Sequence, residues 1–339
     1  MKRKMTIIGG GLSGLALANG LRMSDVPVEV LEAGRYPRHR VCGEFLTSLS
    51  SCTLEGLGIS DCFHDAVPHN NTVWFRNGQV IRQYDMPVPA MGISRHALDL
   101  RLADMLVKRG GTIREQTRGD PEAREGRIFA TGRAPTAKGY FGLKGHWRGL
   151  ETAADLELHL GRHAYVGLSS VETGCVNVCG LFRSVSTGEY DSPMERFHAT
   201  LREHDLVYLS DRLRSSSFQA GSFCSISGLS YGHLARQPAN IIGDRHRMIP
   251  PFTGNGMTLA FEKAYRILPL VIEYAEGKLT WDQFLEQSSK LSRKGLNRRY
   301  VYANLLHPFL LKPSLQSILC HFSRFRLVPF AGLYRLTHT

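Results

Sequence analysis

Gly9, Gly11 and Gly14 stand between a short apolar run, Met5 to Ile8, and a helix-periodic segment, Leu15 to Met23. Glycines at this spacing allow a tight strand-to-helix turn and let the backbone approach a pyrophosphate at the helix N-terminus. Ser13, inside the turn, is grouped with them as a cofactor-binding candidate. The next apolar run, Val28 to Leu31, ends at Glu32, where a carboxylate can accept hydrogen bonds from ribose hydroxyls. A glycine triplet alone is a weak signal. Here strand, turn, helix, strand and acid fall in register, and the reading is a site for an adenine dinucleotide, with the acid favouring FAD or NAD over NADP.

Three further constellations follow. A buried strand is expected over Ile241 to Asp244, ending in Gly243-Asp244 and followed by Pro250-Pro251-Phe-Thr-Gly254-Asn-Gly256-Met257 and a long helix. The acid suits ribityl hydroxyls, and the glycine-rich helix start can present amides to an anionic locus. The loop Tyr36-Pro-Arg38-His-Arg40-Val-Cys42-Gly43-Glu44 carries mixed charge. In it Arg40 is either a pyrophosphate partner or a solvated charge. Cys42 or Glu44 faces the substrate, unless Cys42 is a small buried hydrophobe. Finally, Ser94-Arg95 opens a helix containing Asp99, where Arg95 by itself reads as a first-turn surface charge. His146 and His246 lie near these segments, but no metal-ligand spacing accompanies them and no metal is expected.

The Gly9–Glu32 and Gly243–Met257 motifs together resemble those of the FAD-dependent aromatic hydroxylase and geranylgeranyl reductase superfamily, whose second flavin motif is Gly-Asp followed by Pro-x-x-Gly-x-Gly. The 36–44 loop is similar to the Pro-x-x-Arg-x-Cys-Gly-Glu loop of its reductase-like and halogenase-like branches, which runs beside the flavin ring. The resemblance spans Met5 to about Ala275 and implies FAD on the residues named above, with Arg95 near the adenosine and pyrophosphate. Ala130-Thr131-Gly132-Arg133 occupies the turn where the hydroxylases carry Asp-Gly, and the missing Asp leans toward the Cys-Gly-Glu branch. The halogenase Trp-x-Trp-x-Ile-Pro motif is absent.

The implied activity is that of a monooxygenase, hydroxylating or epoxidising an apolar or aromatic, natural-product-like substrate with reduced flavin and O2. Two alternatives stand beside it. One is a prenyl-type reductase delivering hydride from reduced FAD to a carbon–carbon double bond. The other is a non-catalytic flavin-binding module docked at a membrane. With one dinucleotide fingerprint, NAD(P)H is expected as a transient electron donor without a domain of its own.

The elements that must position these residues alternate between two patterns. Val73 to Met86 reads as a hairpin turning at Asn77-Gly78, Arg95 to Arg109 as an amphipathic helix, and Arg127 to Ala130 as a short strand. Strand-like alternation runs from Gly139 to Phe182, then a helix over Pro193 to Glu203 and a strand over Phe218 to Leu229. The expected fold is α/β: a Rossmann-like FAD-binding domain of the glutathione-reductase type, an inserted antiparallel substrate-binding sheet and a helical C-terminal tail. Residues 1–70, 92–135 and 235–280 are assigned to the FAD domain, 71–91 and 136–234 to the substrate domain, and 281–339 to the tail. Prolines at 308, 313 and 329 should break that tail into short helices.

A net charge of +12 suits an anionic partner: a phosphorylated cofactor, a membrane surface or nucleic acid. No zinc spacing, aromatic RNA-binding strand or recognition-helix pattern appears, so nucleic acid is not expected. Seven cysteines without C-x-x-C spacing read as reduced thiols of a cytoplasmic chain. The basic start runs into glycines after a very short apolar stretch, which reads as a strand and not a signal peptide. The partner expected is an apolar small molecule. Peripheral membrane docking of the tail competes with a helical cap over the core, and the oligomeric state stays open.

Overall fold

The computed structural model describes all residues except 123, 134–135, 137–138, 232–237, 239, 294–296 and 339. The expected nucleotide-binding unit forms as β1 (Met5–Ile8), α1 (Leu12–Met23) and β2 (Val28–Leu31). The chain continues through β3 (Phe45–Leu46), α2 (Ser51–Leu57), the hairpin β4 (Val67–Arg76) and β5 (Gln79–Gly92), α3 (Arg95–Lys108), β6 (Thr112–Arg114) and β7 (Arg127–Phe129). A parallel sheet in the order β6-β2-β1-β7 results. Ile7, Val30 and Ile128 of that sheet share one core with Leu15 and Leu21 of α1 and Leu98 and Leu102 of α3.

The second sheet is built from β8 (Tyr140–Arg148), β9 (Leu156–Gly161), β10 (Ala164–Val171) and β11 (Cys175–Phe182). After α4 (Pro193–Glu203) and α5 (Val207–Arg214) it gains β12 (Ser217–Phe218) and β13 (Cys224–Leu229). Its order is β12-β8-β11-β10-β9-β4-β5-β3, with β13 also on β8. Pairing is antiparallel except where β4 runs along β9. Successive side chains of a strand point to opposite faces, and β8 uses this fully. Leu143 and Trp147 share a core with Phe197 and Leu201 of α4. Gly142, Lys144 and His146 face the 38–44 loop instead, where a Cβ on Gly142 would strike Val41.

Some expectations are corrected. The stretch Phe218 to Leu229 is two strands, with Gly221 at φ +83 between them. The strand expected over Ile241 to Asp244 does not form. Ile241 makes one parallel bridge to Phe129, and Gly243, at φ +67, turns the chain into a 3-10 helix over Gly243–Arg245. Residues 135 and 235, two of the expected domain limits, lie outside the described residues.

The long helix α6 (Asn255–Ala275) packs on α1. The tail folds as α7 (Trp281–Arg293), α8 (Asn297–Leu311), α9 (Pro313–Arg324) and α10 (Phe330–His338). Pro313 and Pro329 fall at helix boundaries, whereas Pro308 lies inside α8 and does not end it. Among the described residues no helix is long and apolar enough to cross a membrane.

Candidate functional site

Both sheets and the tail wall one cavity of about 1270 Å³. At its polar end lie Gly9, Gly11, Ser13, Glu32, Arg40 and Arg95, together with Gly243, Asp244, Pro251, Gly254, Gly256 and Met257. Gly14 is the one expected cofactor residue off the wall. A Cβ there would collide with the Gly9 carbonyl, so Gly14 serves the close packing of α1 on β1. Gly9, at φ +106, could not carry a side chain without striking the Ala130 backbone. At Gly11 a Cβ would meet nothing within 4 Å and would enter the cavity.

Two helix N-termini converge on this end. Ser50, Ser94 and Ser192 cap α2, α3 and α4 by accepting a backbone N–H. By contrast α1 and α6 begin at Gly11 and Gly254, with no capping side chain and no acid in the first turn. Uncapped amides at the positive ends of two helix dipoles make an anion site.

The arginines add to it. Fully buried Asp99 accepts from Arg95 Nε at 2.7 Å and Nη2 at 2.8 Å, and from Arg40 Nε at 3.0 Å. Arg95 is therefore no surface charge; its side chain is 12% exposed. Arg40 Nη2 is buried without a hydrogen-bond partner among the described residues. Burial, reinforced by the neighbouring Arg95, pulls the Arg40 pKa down against the charges of Asp99 and Glu32, the latter 4.0 Å from Nη2, and a bound anion would favour the charged guanidinium. Asp244 is faced by the charges of Lys263, Arg95 and Arg133. Glu32 already accepts from Gly10 N and Gly34 N, both at 2.7 Å, and from Arg38 Nη2 at 2.8 Å. A ribose hydroxyl at Glu32 must share that carboxylate with Arg38.

Cys42 lies on the wall with its Sγ 3.4 Å from Met257 Sδ. Burial raises its pKa, which suits a protonated, apolar-like thiol and not a nucleophile. Glu44 requires a correction, because it does not face the cavity. Fully buried, it accepts from Lys144 Nζ at 3.0 Å, from the Arg95 backbone N–H at 2.9 Å, and pairs with His146 Nε2 at 2.6 Å. These donors, behind the loop, draw the carboxylate inward. Burial pushes its pKa up, but the His146 hydrogen bond and the Lys144 charge outweigh that and hold it below the usual range. Asn177 and Ser169, beside His146 across β11 and β10, donate to the Gly43 carbonyl and pin the loop.

Two residues of this cluster, His39 and Lys144, escape motif reading. Lys144 Nζ is 3.0 Å from His39 Nδ1, and His39 is on the cavity wall. The available signal was the two-residue spacing of Lys144 and His146, which puts both on one strand face. His39, Glu44 and His146 bring ligand-capable atoms within 4.8 Å of one another. The Lys144 ammonium supplies the positive charge there, so the set does not suit a metal ion. His246 instead meets Lys263 Nζ at 3.2 Å; burial brings that lysine's pKa down to about 8 against the opposing charge of Asp244.

The far end of the cavity is apolar. Trp74, Leu158 and Leu181 come from the second sheet, and Leu310, Phe322 and Phe330 from the tail. The tail is thus a wall of the site. Its end docks beside the start of α6, where Asn255 Nδ2 donates to the Thr337 carbonyl at 2.7 Å and His338 Nε2 lies 3.0 Å from the Thr253 carbonyl.

No family model matches the chain, and no curated protein matches it in sequence. Solved structures do match in fold. The p-nitrophenol 4-monooxygenase PnpA from Pseudomonas putida DLL-E4 is 13% identical with a TM-score of 0.72, over 98% of this chain and 99% of that one. The flavin-dependent brominase Bmp2 is 15% identical with a TM-score of 0.72, over 99% and 93%. PqsL of P. aeruginosa, in complex with 2-aminobenzoylacetate, is 15% identical with a TM-score of 0.69, over 98% and 99%. Along nearly its whole length, tail included, the chain has the fold of flavin-dependent monooxygenases and halogenases.

Proposed function

We propose that the protein is an FAD-dependent monooxygenase that hydroxylates or epoxidises an apolar or aromatic substrate. The observation that carries this reading is the continuity of one cavity, from two helix N-termini without N-cap side chains and an Arg40 Nη2 that makes no hydrogen bond among the described residues to an apolar wall of Trp74, Leu158, Phe322 and Phe330. The Gly11 and Gly254–Gly256 backbone with Arg40 and Arg95 would hold the phosphates, and Asp244 the ribityl chain. Bound FAD would supply the redox and O2 chemistry. The chain's own residues bind the ligands, orient them and keep water from the apolar end. Residues 1–70, 92–135 and 235–280 are assigned to cofactor binding, except 45–46, 67–70 and 92, which join the second sheet, and 71–91 and 136–234 with the 281–339 tail to the substrate. NAD(P)H visits transiently as the electron donor. The p-nitrophenol in the name of PnpA and the 2-aminobenzoylacetate in complex with PqsL support an aromatic ligand.

The test is direct. Flavin released from the purified protein should be FAD, and NADH or NADPH oxidation with aromatic candidates should consume O2 and place labelled oxygen in the product. The Cys42-Gly43-Glu44 loop and the absence of Asp before Gly132 favour a second reading, reduction of a carbon–carbon double bond. In that case the alkene is reduced anaerobically and no labelled oxygen appears.

The tail supports a further element of the proposal, docking on an anionic bilayer to admit a lipid-soluble substrate. Ile318, Phe322 and Leu327 line the cavity and are also exposed, at 47%, 46% and 62%. Exposed Phe325, Arg324 and Arg326 stand beside them.

A further inference from the structure

We propose that His39 is the polar anchor for the substrate: Lys144 fixes its imidazole as the Nε2–H tautomer, which donates one hydrogen bond to an acceptor oxygen on an otherwise apolar ligand. The inference rests on the reading of the cavity as a substrate chamber.

The chemistry of Lys144 sets the tautomer. Its side chain is wholly buried in the middle of β8, and an ammonium group only donates. At 3.0 Å from His39 Nδ1 it donates and Nδ1 accepts, so the ring proton sits on Nε2. Glu44, 3.0 Å from the same nitrogen, pairs with it and holds it in place. The ring plane is fixed as well. His96 stacks on it with centroids 4.5 Å apart, and His146 meets it edge-on at 5.0 Å.

The groups acting on His39 are Lys144, His146 and His96, opposed by the charge of Glu44. Burial first, then the Lys144 charge, brings the His39 pKa down to about 4, so the ring is neutral at physiological pH. Among the described residues Nε2 makes no hydrogen bond, although His39 lies on the cavity wall. A fixed donor on the wall of a cavity that is apolar at its far end discriminates modestly, because a ligand without a matching acceptor forgoes that hydrogen bond. The ligand class is therefore an apolar molecule bearing a carbonyl or comparable acceptor oxygen.

Two measurements test this. In the flavin-loaded protein, 2-acetylnaphthalene and 2-ethylnaphthalene, matched in shape and differing in the oxygen, are titrated by their perturbation of the flavin spectrum. The ketone should bind more tightly by roughly threefold to tenfold. His39→Phe should abolish the difference, and Lys144→Met should lower the ketone-to-hydrocarbon affinity ratio, whatever change it makes to both ligands alike. Equal affinities in the unaltered protein overturn the proposal.

Nitrogen-15 spectra of the unaltered protein read the tautomer with no ligand present. His39 Nδ1 should be unprotonated and Nε2 protonated throughout about pH 5.5 to 8, a range spanning the ordinary imidazole pKa. The opposite tautomer, a ring charged at about pH 6, or a stoichiometric metal ion in the purified protein would each overturn it. Flavin content, measured separately, tests the cofactor reading: a flavin-free protein with the expected His39 spectrum would sink that reading alone.

Discussion

Gly11 and Gly14 belong to one motif, yet a side chain would harm them for opposite reasons. At Gly14 the obstacle is the protein itself, the Gly9 carbonyl with the Ala130 and Ile7 side chains close behind. Gly14→Ala should therefore destabilise the fold by about 1–3 kcal/mol, the usual cost of forcing an extra carbon into a packed site. At Gly11 the protein offers no obstacle, and only a ligand phosphate would. Gly11→Val should leave the thermal unfolding midpoint of the flavin-free protein within a few degrees, yet abolish flavin retention. The pair is read by the flavin-to-protein absorbance ratio and by melting each apoprotein. Stoichiometric FAD in Gly11→Val would remove the pyrophosphate from this turn.

At the scale of elements, α1 and α6 lack the N-cap side chain that α2, α3 and α4 possess; Asn255 N–H donates to Thr253 Oγ1 at 3.3 Å, and the remaining first-turn amides of the two helices are left to an anion. An acid placed in the first turn of α6 should separate stability from function. Gly256 has open space around a Cβ, so Gly256→Asp should favour the flavin-free helix by about 0.3–1 kcal/mol through the dipole while repelling the bound phosphate or flavin anion. A higher melting point of the apoprotein with weaker FAD binding is the expected result; unchanged affinity would show that α6 does not face the anion. The glycine starts of both helices were legible in the sequence because turn geometry constrains residue type locally. The expected strand at Ile241–Asp244 failed because its apolar pair is only bridged to Phe129 before Gly243 turns the chain away. Glu44 was misplaced for a different reason. Its partners, Lys144 and His146, lie about a hundred residues downstream in sequence, and only the closed second sheet brings them to it. A loop motif shows which residues are present, but tertiary charge decides which way they turn.

At the scale of the molecule, the tail completes the cavity wall, and its attachment depends on buried neutral histidines. Burial brings His307 and His338 down to about 4, against about 6.5 for an unfolded imidazole. Between those values the unfolded chain binds the extra protons, so the contribution of these two residues to stability is flat above pH 6.5 and falls as pH drops toward 4. His307→Phe, within a ring of Tyr140, Tyr231 and Phe252, should lessen that acid sensitivity, measured as the fall in melting temperature from about pH 7 to 5. The same docking makes deletion of the tail a poor probe of its outer surface, because Thr337 and His338 contact the loop that starts α6. Point changes at the rim avoid this. Phe322, Phe325 and Leu327 are each more than 40% exposed beside Arg324 and Arg326, on a chain of net charge +12. Apolar insertion and charge attraction together predict binding to vesicles containing anionic phosphatidylglycerol, weakened by salt and much poorer on neutral phosphatidylcholine. Phe325→Glu with Leu327→Glu should abolish co-sedimentation while flavin content stays unchanged, since Phe325 is not on the cavity wall and Leu327 is 62% exposed. Equal binding to neutral and anionic vesicles, or none to either, would leave the exposed rim as the outer face of a cap and return substrate entry to the aqueous phase.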